Sequence, residues 1–355
     1  MRLLALLLFT TTLSAQWVSP IEQSYGPYAR PQRGGRHALA VGSSGILLAW
    51  SETLGAPRIR IGLLDSRAQL ISEIVTLPVA AEGAEAYAPA VAFNGESFLV
   101  AWIEQYRGGE KVRSLVVDGS GIPITPAETH GFVGAEEVTP LIVWDGAAWQ
   151  VLEGSRKSVQ AAATSDGVRA TTRVTRTMLL RNCWLLRCEY YGNRWDLAWT
   201  AGTRTGAERI GDEWPTGTTP IAISNVAPAG NDFAVTWASS LGVGYLFSSS
   251  TRSNTVHAFV DDDVAPGLAC DDERCLIAYG TLNGDVHAIV VDTGDIRGPQ
   301  LLSITATERK EHSPLVHHLG GERFLVSYLS DQTATDQRIN GRIVTFAPAR
   351  RRAMR

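Results

Sequence analysis

The chain has 355 residues, with 36 Asp+Glu against 32 Lys+Arg, 45% hydrophobic residues, 34 Gly and 10 Trp, a composition for a packed globular protein and not a disordered one. A formal net charge of −4 leaves no basic excess to neutralise phosphates, so nucleic acid is excluded as the expected partner. The only long apolar stretch lies at the extreme N-terminus, and no membrane span is expected.

Met1-Arg2, the run Leu3-Leu4-Ala5-Leu6-Leu7-Leu8-Phe9 and the small residues Ser14-Ala15 have the three regions of a secretory signal peptide. Residues 1–15 are therefore expected to be removed, leaving a secreted or periplasmic protein. Residues 16–347 read as one domain, and residues 348–355, with Arg350-Arg351-Arg352, as a solvated basic tail.

Beyond the leader one hairpin recurs. Its clearest copy is Pro89-Ala90-Val91-Ala92-Phe93-Asn94-Gly95-Glu96-Ser97-Phe98-Leu99-Val100-Ala101-Trp102: an apolar run, an Asn-Gly turn, and a second apolar run ending in an aromatic. With Gly95 as anchor and the aromatic seven residues on, the frame repeats at Ser43/Trp50, Gly192/Trp199, Gly230/Trp237, Asp272/Tyr279 and Gly321/Tyr328. A degenerate copy sits at Gly146, with Glu153 in the aromatic position. Anchors fall 38 to 52 residues apart, close to the roughly 40–50 residues of a four-stranded propeller blade.

A third strand is predicted over Arg58 to Leu64, Val112 to Val117, Val159 to Ala163 and Val286 to Val291, each ending in an Asp-containing turn. Those aspartates read as turn chemistry, not as catalytic or metal-binding carboxylates. The expected fold is all-β, a β-propeller of seven four-stranded blades, with six or eight also compatible because of the short step between the anchors Gly192 and Gly230 and the irregular third and fourth copies. The last copy lacks a fourth strand of its own, and residues 17–30, including Trp17-Val18-Ser19-Pro20-Ile21, are expected to supply it and close the ring.

Units of the form Pro-x-Val-Ala-x-Asn-Gly-x-x-Phe-Leu-Val-x-Trp resemble those of secreted bacterial β-propeller repeat proteins. The resemblance covers nearly the whole mature chain and implies architecture only, since such repeats carry no common catalytic residues to transfer.

Four cysteines form two local pairs in an exported chain. Cys270 and Cys275 occupy the positions held by Phe93 and Phe98 in the clearest copy, so a disulfide there is expected to replace an aromatic cross-strand contact. For Cys183 and Cys188 the frame offers no such guide; compartment alone argues for a loop-closing bridge, and three connectivities remain open.

In a propeller the repeated tight turns lie on one face and the variable second-to-third-strand and blade-to-blade loops on the other, where binding is expected. Ligand-binding candidates on that loop-rich face are Tyr106, Arg107, Arg156, Trp184 and Asp331; if the protein is an enzyme, Glu104, Glu153 and Glu189 at the channel mouth are the carboxylates to consider. The adjacent His317 and His318 point to opposite faces of a strand and cannot share one ion. Asp261-Asp262-Asp263 lacks the spacing of a calcium loop. No nucleophile elbow, zinc-protease helix, phosphate loop or sialidase Asp-box occurs. The reading is an exported binding module for a glycan, peptide or protein, monomeric, with no cofactor and no metal; the alternative is a carbohydrate-active hydrolase or lyase.

Overall fold

The computed structural model describes residues 17–18, 23–25, 37–52, 57–106, 109–133, 140–144, 149–155, 158–165, 169–174, 183–184, 187–188, 196–201, 204–209, 220–229, 232–239, 242–247, 253–258, 260, 266–293, 298–333 and 336–346. The regular structure among them is entirely β, arranged as antiparallel meanders in chain order. Near the N-terminus lie β1 (Trp17–Val18) and β2 (Gln23–Tyr25). Sheet I comprises β3 (His37–Val41), β4 (Ile46–Glu52), β5 (Arg58–Leu64) and β6 (Val75–Thr76). Sheet II comprises β7 (Glu85–Phe93), β8 (Phe98–Tyr106), β9 (Gly109–Val117) and β10 (Glu128–Val133). Sheet III comprises β11 (Leu141–Trp144), β12 (Trp149–Ser155), β13 (Ser158–Ser165) and β14 (Arg169–Val174).

Two two-stranded ladders follow where the fourth repeat is expected: β15 (Cys183–Trp184) with β16 (Arg187–Cys188), and β17 (Asp196–Ala201) with β18 (Arg204–Arg209). Sheet IV is β19 (Pro220–Ala229), β20 (Asp232–Ser239), β21 (Gly242–Phe247) and β22 (Ser253–His257). Sheet V is β23 (Gly267–Cys270), β24 (Arg274–Gly280), β25 (Val286–Asp292) and β26 (Gln300–Ser303). Sheet VI is β27 (Glu311–His318), β28 (Arg323–Thr333) and β29 (Asp336–Thr345), joined by β1 and β2.

The second strand of a unit is buried along its whole length because it is covered on both faces, as in β4 and β24. Period two then sorts its side chains between two neighbours. In β4, Leu47 and Ala49 pack on Phe98, Val100 and Trp102 of sheet II, whereas Ile46, Leu48 and Trp50 pack on Leu325, Leu329 and Ile339 of sheet VI. In β8, Leu99, Ala101 and Ile103 turn to Trp149 and Val151 of sheet III. In β24, Cys275, Ile277 and Tyr279 face sheet IV, while Leu276 and Ala278 face Phe324, Val326 and Tyr328 of sheet VI. The repeated aromatic of the hairpin therefore faces the preceding sheet in the four copies whose side chains are described, Trp50, Trp102, Tyr279 and Tyr328, and the last sheet packs on the first. The fold is propeller-like.

The strand missing from the last repeat comes from the N-terminus: Trp17 and Val18 pair with Thr345 and Val344, and Gln23 to Tyr25 with Gly341 to Ile339. This extra pairing hides the edge of β29. Polar latches tie neighbouring sheets at the tight-turn face. Ser44 Oγ donates to the Gly119 carbonyl, and Arg323 donates to the equivalent Ser66 carbonyl at 3.2 Å. The Arg274 guanidinium lies 4.9 Å over the Phe346 ring and 3.9 Å from Glu322, joining sheets V and VI.

Two of the aspartates that end third strands, Asp65 and Asp118, serve their turns, and Asp271 does the same in a hairpin turn; Asp166 lies outside the described residues. Asp65 Oδ1 accepts from the Arg67 and Gln69 amides, Asp118 Oδ1 from Ser120 and Ile122, and Asp271 Oδ1 from Glu273 and Arg274. Cys270 and Cys275 are direct cross-strand partners joined by a disulfide, in the place of the Phe93–Phe98 ring contact at 4.7 Å. Replacing both cysteines by alanine is expected to cost about 2 kcal/mol, the loop-closure value for so short a ring, read as a lower urea midpoint. In sheet VI the turn is one residue longer, and His318 faces Phe324. The backbones of Cys183 and Cys188 also face each other across β15 and β16; their side chains lie outside the described residues.

Candidate functional site

The loop-rich rim is built from the starts of inner strands, the ends of second strands and the starts of third strands. In both β7 and β27 the inner strand carries a bulge before a proline: Ala88-Pro89 with φ 51° at Ala88, and Ser313-Pro314 with φ 53° at Ser313. A left-handed non-glycine residue costs about 1–3 kcal/mol and persists where the surroundings impose it. Here the extra residue lets the strand turn and re-aims the side chain before it, Tyr87 in sheet II and His312 in sheet VI.

These two equivalent positions end differently. Tyr87 OH donates to Glu110 Oε1 at 2.5 Å, a contact from the inner to the third strand across the end of the second. In sheet VI the corresponding residues are His312 and Gln337, and Gln337 is the cross-strand partner of Asp331. His312 Nε2 lies 3.3 Å from Asp331 Oδ1, and Nδ1 lies 2.9 Å from Ser313 Oγ. The carboxylate requires a donor, so Nε2 carries a proton, and Nδ1 is hydrogen-bonded to the Ser313 hydroxyl. Gln337 Nε2 donates to the same Asp331 Oδ1 at 2.7 Å. Gln337 is 9% exposed and its buried Oε1 has no hydrogen-bond partner, while the Asp331 side chain remains 30% exposed. Beneath them Glu311 is buried and accepts from the Thr307 hydroxyl.

Glu104, a candidate carboxylate at the channel mouth, does not stand open to a ligand. It lies within β8, 0% exposed, because the second strand continues to Tyr106. Its Oε2 is 3.0 Å from Arg113 Nη1, its Oε1 accepts from the Ala80 amide at 2.9 Å, and Arg113 Nη2 donates to the Ala127 carbonyl at 3.0 Å. Trp102, directly across from Arg113, has the guanidinium 5.8 Å from its ring centre. Sheet I repeats the arrangement, with Trp50 across from Arg60 and Arg60 paired to Glu52. Trp-x-Glu followed by an Arg on the third strand is thus a structural unit shared by sheets I and II. It is legible in Trp50-Ser51-Glu52 and Trp102-Ile103-Glu104 once the copies are aligned.

His130 sits beside that pair, with Nε2 2.7 Å from Ser114 Oγ. Burial, and then the Arg113 charge, lower its pKa to about 4. Burial alone lowers His317 to about 4, and its Nε2 has no hydrogen-bond partner. His318 instead donates to the Gly321 carbonyl at 2.8 Å and rests 5.0 Å from the Phe324 ring, so the two histidines do diverge. A folded-state pKa below the usual 6.5 means that the unfolded chain binds the proton more tightly. Each histidine's contribution is intact above pH 6.5 and is lost as pH falls towards 4. Each is expected to destabilise the fold by about 2 kcal/mol at pH 5 relative to pH 7.5. Urea midpoints at the two pH values check this, and His130→Asn should remove its share.

Of the remaining candidates, Asp331 lies near the end of β28 with its side chain 30% exposed. Tyr106, Glu153 and Trp184 are placed by backbone in β8, β12 and β15, and their side chains lie outside the described residues. Arg107, Arg156, Glu189 and the Asp261-Asp262-Asp263 run also lie outside them. Among the described residues, no three His, Cys, Asp or Glu side chains gather where an ion could be held, and no helix is long and apolar enough to cross a membrane.

Neither a protein-family model nor a curated protein sequence matches the chain. Solved structures do. A protein of unknown function from Dyadobacter fermentans is 12% identical, covering 92% of this chain and 100% of that one with a TM-score of 0.49. A neuraminidase-like protein of A/little yellow-shouldered bat/Guatemala is 9% identical over 92% and 100%, with a TM-score of 0.44. An endo-arabinanase from Bacillus licheniformis is 10% identical over 89% and 96%, with a TM-score of 0.38.

Proposed function

We propose that the chain is an exported seven-bladed β-propeller that acts as a monomeric binding module, taking a glycan on its loop-rich face; a peptide or protein ligand is the competing reading. The blade count is supported by six sheets and by the two ladders that stand where a further repeat is expected. The N-terminal strand on β29 and the packing of sheet VI on sheet I support a closed ring.

One contrast carries the functional reading. Glu104, the described carboxylate of the enzymatic alternative, is buried with both oxygens engaged and cannot meet a substrate, whereas Asp331 stays half-exposed on the rim. A side chain that is fixed by its neighbours yet reaches solvent suits ligand recognition on a rigid scaffold.

The experiment is to pass the purified chain, disulfide intact, over immobilised neutral polysaccharides and peptides while assaying the same mixtures for released products. Retention without products is the expected result. Products abolished by Glu153→Ala would transfer the assignment to a carbohydrate-active enzyme.

A further inference from the structure

Resting on that reading, we infer that the bulge of sheet VI is a binding subsite for a pair of neighbouring hydroxyl groups, with the Asp331 carboxylate and the Gln337 amide oxygen as its acceptors. The molecule contains its own control. In sheet II the same position between inner and third strand is closed by the Tyr87–Glu110 hydrogen bond. The bulge itself therefore needs no acceptor held in reserve. Sheet VI keeps the bulge, the proline and the left-handed residue, and places there a cluster whose polar capacity exceeds its internal partners.

Gln337 cannot be turned to cure this. Flipping its amide would set Oε1 against the Asp331 carboxylate in place of the 2.7 Å donor contact. An orphaned buried amide oxygen destabilises the free chain, and a bound donor would relieve it. Asp331 Oδ1 is already shared by the His312 Nε2–H and the Gln337 amide, and its side chain is still 30% exposed. Two donors on one carboxylate oxygen offset part of its charge, which favours neutral donors over a cation. Two acceptors joined by a single hydrogen bond match the vicinal hydroxyls of a sugar. His312 is a positioning residue. Its Nδ1 is hydrogen-bonded to Ser313, whose left-handed backbone is the bulge itself, so the carboxylate is held by the same feature that opens the site.

The test compares retention of the wild-type chain, Asp331→Asn, Gln337→Met and the sheet II control Glu110→Gln on columns of neutral polysaccharides, with a lysine-rich peptide column as the cationic arm. Urea midpoints are measured on all four proteins. Retention on a polysaccharide that falls at least tenfold in both sheet VI variants, is unchanged in Glu110→Gln and occurs at unaltered midpoints is the expected result. Wild-type retention that both variants keep would overturn the subsite and leave the binding module standing. Retention only on the lysine-rich peptide, lost in Asp331→Asn and at high salt, would overturn the hydroxyl assignment. No wild-type retention on any polysaccharide would overturn the glycan reading and the subsite with it. Should Gln337→Met lower the midpoint, Asp331→Asn decides, since it preserves volume and the His312 contact.

Discussion

Glu104→Ala is expected to destabilise the protein by about 3–5 kcal/mol, as removal of one partner of a buried ion pair does. The loss would not come from the attraction alone. Arg113 would stay buried, with the Ala127 carbonyl at 3.0 Å and the Trp102 ring in place of a counter-charge, and its Nε has no hydrogen-bond partner to begin with. The Ala80 amide would lose its acceptor as well. Glu104→Gln keeps that acceptor and should cost less. Glu52→Ala is the internal comparison: the Arg60 side chain is 35% exposed, so water can take over part of its solvation and a smaller loss is expected. Urea unfolding of the three variants reads the order, and a Glu104→Ala loss no greater than that of Glu52→Ala would refute the buried-pair account.

A chain begun at residue 26 is expected to be less stable by about 1–5 kcal/mol and to self-associate. Five residues, Trp17, Val18 and Gln23 to Tyr25, have cross-strand partners on β29, and such pairs contribute roughly 0.2–1 kcal/mol each. The larger consequence is geometric. Without them β29, from Asp336 to Thr345, presents an unpaired strand edge ten residues long, a template for pairing with another copy. The urea midpoint gives the first effect and light scattering against concentration the second. A truncated chain that stays monomeric at an unchanged midpoint would show that the N-terminal pairing contributes little. The expected signal cleavage after residue 15 would leave Trp17 in place.

The architecture was legible because it is written locally and repeatedly. An apolar run, an Asn-Gly or Asp-containing turn and a second apolar run ending in an aromatic define a hairpin without knowledge of anything distant. Recurrence of that pattern along the sequence then averages out the irregularity of any one copy. The strand limits for Arg58 to Leu64 and for Val286 onward follow from alternation alone, and the Cys270–Cys275 disulfide from its place in the repeat. Glu104 was misread for the opposite reason. A glutamate near the end of an apolar run looks like the start of a loop, and only the distant Arg113 and the Ala80 amide make its burial tolerable. Gln337 was missed because a single glutamine carries no local signal; its significance comes from lying opposite Asp331 and beside His312.

By itself, then, the sequence determined an all-β chain of repeated hairpins whose aromatics are buried, whose aspartates make turns and whose N-terminus supplies the last strand, since period, turn chemistry and register act over a few residues. Only the tertiary structure decided which polar side chains are spent on the fold and which remain on the rim. That choice depends on partners brought from other strands and neighbouring sheets, which set the desolvation and hydrogen bonding of each group. Glu104 and Asp331 are both carboxylates near the end of a second strand, yet a buried arginine encloses one and the other keeps a side open to solvent.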